Sequence, residues 1–265
     1  MAISPERIRA VLLQEAYIMA RSVEVLVDLP LWSLVTAVVF GFVTRFLSQV
    51  MTPIVAQYLY MGTLLWEIIR VAQYSMSVGA LWNVWSHNLN NMFITPLSMV
   101  EYVIAQMLSA AVKALILFGI MLVIAAVVFD FNLLNIGPTN LLLLFFNLLF
   151  FAYSVGLLIL GIILRLGTRI QALAWGLVLI FQPLTAAYYP LAVMPPPLQV
   201  VARAFPPTYV FESARAALAA PADVDWTSHT IAAAENIVYF AVATAFFATM
   251  YRRSRQSGQF ARNEE

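Results

Sequence analysis

Six stretches of this chain, roughly residues 27–48, 55–80, 97–129, 139–164, 170–189 and 230–251, are apolar over lengths near or beyond the ~20 residues a helix needs to cross a hydrocarbon layer. Such runs permit few folds. In lipid every backbone N–H and C=O must find a partner inside the protein, and a helix satisfies them within one segment. The composition agrees, with 63% of residues hydrophobic and 10% charged, against about 45–50% and 25% in soluble domains. The sequence therefore predicts an all-α polytopic membrane protein with six transmembrane helices.

An even number of crossings puts both termini on one side. Outside the spans, Arg7, Arg9, Arg21, Arg165, Arg169, Arg252, Arg253, Arg255 and Arg262 fall on that side, and only Arg45, Arg203 and Arg215 on the other. The positive-inside rule makes the termini cytoplasmic. The connections then alternate: 49–54 outside, 81–96 inside, 130–138 outside, 165–169 inside, 190–229 outside.

Glu6, Arg7, Arg9 and Glu15 interrupt the apolar core that a cleaved signal peptide would need, so the N-terminus is expected to be retained. Ser4-Pro5-Glu6 reads as an N-cap, a first-turn proline and a dipole-favourable acid. Residues 1–22 are thus expected to form an interfacial helix with Ile8, Val11, Leu12 and Met19 on one face. Glu15 shares that face and must point at something polar.

Residues 190–229 carry Pro190, Pro195, Pro196, Pro197, Pro206 and Pro207, and Pro183 precedes them. No single straight helix runs through so many prolines. Two apolar pieces, 191–204 and 207–220, read either as half-helices dipping into the outer leaflet or as an amphipathic pair lying on its surface.

The chain offers little to an enzyme. Its histidines are His87 and His229, and it has no metal-binding His-Glu-x-x-His, no nucleophile elbow and no paired intramembrane aspartates. No cysteine is available for a disulfide or a thiolate metal site. The single lysine, Lys113, lies mid-span without a glycine-rich phosphate loop. A net charge of +1 creates no field to gather nucleic acid. Three charges fall near the middle of predicted spans, where each is costly: Glu67 and Arg70, three apart on one face, and Lys113. Either Glu67 neutralises one of the two cations and locks helices together, or the surplus positive charge faces a cavity and meets an anionic group such as a phosphate.

Residues 81–107, LWNVWSHNLNNMFITPLSMVEYVIAQM, begin with two tryptophans, a histidine and four asparagines where an ordinary cytoplasmic turn would be basic. A Thr95-Pro96 turn and Glu101 follow. Residues 188–215 carry Tyr-Pro, a proline-marked loop, then Pro207, Tyr209, Glu212 and Arg215 in the pattern Pro-x-Tyr-x-x-Glu-x-x-Arg. Together with the six-span plan and the N-terminal helix, the order and spacing of these segments resemble the ABC-2 family of exporter permeases. That family moves polysaccharides, lipo-oligosaccharides, lipids and drugs out of bacteria.

The resemblance covers essentially the whole chain and points to the half-size permeases of nodulation-factor, capsule and antibiotic export. It implies one transmembrane domain over 1–265, with spans 1–2 in 27–80, spans 3–5 in 97–189, span 6 in 230–251 and a cytoplasmic tail over 252–265. It implies a coupling segment, 81–96, that rests in a cleft of a separate ATPase through Trp82, Trp85, His87, Asn88, Asn91, Phe93 and Pro96, flanked by Glu15. Pro190, Pro207, Tyr209, Glu212 and Arg215 would form an outer gate, and the pathway would run between two protomers. The implied assembly is a homodimer with two copies of the ATPase, which bind ATP and Mg while this chain holds no cofactor. It would sit in lipid of the bacterial inner membrane and export an amphipathic, lipid-linked or saccharide-type substrate. The alternative is a non-transporting scaffold or accessory subunit that binds lipid or a partner protein.

Overall fold

The computed structural model describes residues 3–86, 88–221 and 223–257, and these are overwhelmingly helical. The chain runs α1 (Pro5–Arg21), α2 (Val23–Leu47), α3 (Pro53–Trp85), α4 (Leu89–Ile94), α5 (Met99–Phe129), α6 (Pro138–Leu166), α7 (Gln171–Leu184), α8 (Pro196–Ala202), α9 (Pro206–Ala219) and α10 (Trp226–Gln256). Prolines open α1, α3, α6, α8 and α9 within their first two positions, where the missing N–H has no intrahelical partner to lose.

Among the described residues four segments are both long and apolar enough to cross a membrane: Val27–Leu47, Met99–Phe129, Pro138–Leu166 and Trp226–Gln256. The expected second and fifth spans depart from that pattern. α3 is 33 residues long, but it is the most polar of the long central helices and the most enclosed. Its Glu67, Gln73, Ser75, Ser77 and Asn83 are all buried. A helix packed on α2, α5, α6, α7 and α9 can carry such groups because protein, not lipid, surrounds it. α7 covers only 14 residues; it stops at Leu184 and a tight turn follows.

α2, α5 and α10 show the complementary pattern. Phe42, Phe46, Leu115, Val123, Ile237 and Val242 are exposed on them, which suits hydrocarbon as the surrounding solvent.

α3 also runs one turn further than the apolar pattern suggests, so Trp82, Asn83 and Trp85 belong to its end and not to a separate polar helix. No helix breaker intervenes in Leu81–Trp85, and a helix longer than the hydrocarbon thickness can project from it. α1 begins at Pro5 as expected, but the Ser4 side chain makes no capping bond. Its backbone N–H instead donates to Glu101 at 2.7 Å.

The turn after α7 is fixed by close backbone contact. Ala186 adopts φ 52°, a left-handed conformation that alanine seldom takes. The next carbonyl, that of Ala187, lies against α3 at Gly62, where an added Cβ would stand 2.0 Å from it. Neither backbone can yield without moving a helix. Gly62→Ala is therefore expected to destabilise the protein by about 1–3 kcal/mol, as overpacked cores do, read as a lower unfolding temperature of the detergent-purified protein. Gly119→Ala, which meets nothing within 4 Å, should leave it unchanged.

Candidate functional site

Three polar clusters and one cavity organise the interior. The first cluster joins α1 to the start of α5. Ser98 and Glu101 form a reciprocal capping box: the Glu101 N–H donates to Ser98 Oγ at 3.3 Å and the Ser98 N–H to Glu101 Oε2 at 2.8 Å. The other carboxylate oxygen accepts the Ser4 N–H at 2.7 Å and Arg7 Nε at 2.9 Å. Arg7 also donates to the Pro96 carbonyl at 2.8 Å. Glu101 is fully buried, and each of its oxygens accepts at least two donors. The first turn of α1 is thus clamped to the Pro96–Met99 turn.

The second cluster supplies the polar partner expected of Glu15. Glu15 is 6% exposed, and it accepts from Gln106 Nε2 at 3.0 Å and from Lys113 Nζ at 3.2 Å. Gln106 and Lys113 are seven apart on α5, so they fall on one face. That spacing is the one sequence signal that could have paired them with a common partner.

The third cluster settles where Glu67 goes. Both its oxygens accept from Arg70 Nε, at 2.8 and 2.9 Å, and Ser33 Oγ on α2 donates to Glu67 Oε2 at 2.7 Å. Of the two cations left open by the sequence, Glu67 neutralises Arg70. Lys113 has a counter-ion of its own from α1, so among the described residues both cations are paired even though both border the cavity.

Between α1, α2, α3, α5 and α7 lies a cavity of about 810 Å³. α2 contributes Asp28, Trp32 and Phe40 to its wall, and α3 contributes Trp66, Tyr74, Trp82 and Trp85. α7 adds Trp175 and Gln182, with Tyr188 beyond it, and Ile18 and Met19 of α1 close one side. Glu15–Lys113 and Glu67–Arg70 both border it. Five of the six tryptophans in the chain line this one space. Asp28, whose carboxylate accepts from the Tyr74 hydroxyl, is the member that sequence reasoning passed over; its position at the membrane edge gave no sign that it faced inward.

The predicted coupling residues divide between two places. Trp82 and Trp85 meet edge to face, with ring centres 5.3 Å apart, on the cavity wall. Asn88 Nδ2 donates to Asn83 Oδ1 at 3.3 Å, and Gln14 of α1 donates to the same oxygen at 3.3 Å. Met92 is buried. Facing away from the protein are Asn91, Pro96 and Ile94, the last 82% exposed. His87 lies outside the described residues, as do the side chains of Asn90 and Phe93.

The predicted outer residues form a staple. Arg215, 4% exposed, donates to the carbonyl of the left-handed Ala186 at 3.0 Å and to Glu212 Oε1 at 2.7 Å. That same oxygen accepts the Leu191 N–H at 2.7 Å. Pro190 opens the short 3-10 turn at Leu191–Val193, Pro207 is buried in the first turn of α9, and Tyr209 is half-buried. α9 thereby holds the turn that follows α7.

Removing one partner of a dry buried ion pair costs about 3–5 kcal/mol because a lone charge is left behind, and the partial exposure of Glu15–Lys113 on the cavity wall lowers that cost. Lys113→Met should therefore reduce the thermal stability of the purified protein. The double change Lys113→Met with Glu15→Leu should recover much of the loss. A double mutant no more stable than Lys113→Met would mean that the pair is not what holds α1 to α5.

Residues 8–219 match the sequence profile of the ABC-2 type transporter family. No curated protein is significantly similar to the chain. Members of the family are membrane transport components that typically work with an ATPase subunit. A match over well over half of the 265 residues, in a helical chain with several membrane-length apolar helices, makes this protein a member of the ABC-2 type transporter family and a multi-pass transmembrane component of an ABC transporter.

Proposed function

We propose that the chain is a half-size export permease, one transmembrane domain over 1–265 that crosses the bacterial inner membrane six times with both termini in the cytoplasm. In this reading α3 and the short α7 complete the crossings, α1 lies at the cytoplasmic interface, and α8 and α9 dip into the outer leaflet. Two copies pair, and each engages a separate ATPase subunit that binds ATP and Mg. The pathway lies between protomers and carries an amphipathic, lipid-linked or saccharide-type substrate outward, with the Glu212–Arg215 staple at its outer end.

One observation carries this reading. In a chain of this family, a cavity of about 810 Å³ with an aromatic wall reaches along α3 from Trp66 to Trp85, a distance of about 28 Å at helical rise. It ends where the polar segment 81–96 begins. A space of that size and lining suits a bound organic molecule, and its position joins it to the segment where the work of ATP would enter.

The exposed face of that segment, Asn91 and Ile94, offers an uncharged hydrogen-bonding group beside an apolar knob. Such a surface can be buried in a partner's cleft without stranding a charge. Asn88 is turned inward to Asn83, so charge placed at 91 and 94 tests docking with less disturbance of the fold. Asn91→Glu with Ile94→Glu should give a folded, membrane-inserted protein that no longer co-purifies with the ATPase and no longer drives ATP-dependent export. Wild-type values for both would remove this face from the coupling element.

A further inference from the structure

The charge around the cavity has the opposite sign to the one the spans alone suggest. Glu67, Arg70 and Lys113 leave one positive charge over, but the folded wall adds Glu15 and Asp28. Glu15 takes Lys113 and Glu67 takes Arg70. Among the described residues no cation lies within ion-pair distance of Asp28, whose hydrogen-bond partner is the Tyr74 hydroxyl. Three carboxylates thus face two cations, and the one left over is Asp28.

The hydrogen-bond partner of that carboxylate, Tyr74, and its neighbour one turn along α2, Trp32, are aromatic, and the wall that runs on from them is aromatic too. Trp32 follows Asp28 by one helical turn on α2, and Trp66, Tyr74, Trp82, Trp85 and Trp175 share the same space. Indole rings are the strongest side-chain partners for organic cations, and the attraction grows as the site is desolvated. A phosphate or carboxylate would meet two cations whose charge is already neutralised, and an unbalanced negative charge besides. We propose that the cavity is a binding site for a lipophilic organic cation, with Asp28 as its counter-ion and the tryptophan wall as its apolar and cation–π surface. As a statement about substrate, this rests on the reading that the cavity belongs to the export pathway.

The tetraphenyl ions separate charge from shape, since tetraphenylphosphonium and tetraphenylborate are nearly the same size and opposite in sign. The full chain, purified in detergent, is titrated with each while tryptophan fluorescence is followed, and tetraphenylphosphonium binding is measured independently by equilibrium dialysis. Five of six tryptophans line the cavity and report on its occupancy. Tetraphenylphosphonium should bind saturably and quench, and tetraphenylborate, titrated separately, should not. Asp28→Asn, which keeps an oxygen for Tyr74, should weaken cation binding at least about tenfold, and Asp28→Glu should largely restore it.

Saturable binding that favours tetraphenylborate, or an unchanged affinity in Asp28→Asn, would overturn the cation site. The charge preference of the wild-type protein decides the matter even if Asp28→Asn fails to fold. ATP-driven uptake of tetraphenylphosphonium into inverted vesicles that contain the permease and its ATPase tests the pathway separately. Asp28-dependent binding without such uptake keeps the cation site and removes its place in the pathway. Uptake indifferent to Asp28 keeps the permease and removes the site.

Discussion

A charge placed among apolar helices is costly until a partner of opposite sign or a hydrogen-bond donor reaches it, and the interior of this protein is arranged around that requirement. Among the described residues, four ion pairs each tie two pieces of structure or fix a turn. Arg7–Glu101 and Glu15–Lys113 both join α1 to α5. Arg70–Glu67 draws in Ser33 and so fastens α3 to α2, and Arg215–Glu212 holds the turn beyond α7 to α9. Hydrophobic burial gives little direction to helices already dissolved in lipid. Polar pairing and close packing supply the register in its place.

The same logic explains why the long helix that buries the most polar side chains is the central one. α3 keeps Glu67, Gln73 and its serines inside a ring of neighbours, while α2, α5 and α10 turn valine, leucine and phenylalanine outward. Gly62 and Gly156 let neighbours come close to or into contact with α3, the first meeting the Ala187 carbonyl and the second Met76. The cavity is what remains where aromatic side chains on α2, α3 and α7 are too bulky to close that packing.

Much of this was legible from residues alone. The all-helical class followed from apolar run lengths, the start of α1 from Pro5, and the break after α7 from its prolines. Glu15, standing out on an apolar face, announced a buried polar partner. What could not be read was which partner. Lys113 lies 98 residues away along the chain, and pattern on one helix does not say which face another presents. The end of α3 was misplaced because polarity at Trp82–Asn83 resembles a turn, whereas Asn83 is satisfied internally by Gln14, Asn88 and Tyr102. The convergence of five tryptophans was hidden for the same reason: it is a property of how three helices rotate against one another, and no window of sequence contains it.

α1 is held to α5 at two points, at its first turn through Ser4 and Arg7 and near its last through Glu15. Two anchors suppress both hinging and sliding, so the pair behaves mechanically as one strut with the Pro96 turn at its foot. Ile18 and Met19, just past the second anchor, form part of the cavity wall. In the permease proposed above, a push at the foot of that strut would displace this wall without any side chain changing partner, and the volume open to a bound molecule would follow the tilt of a single lever.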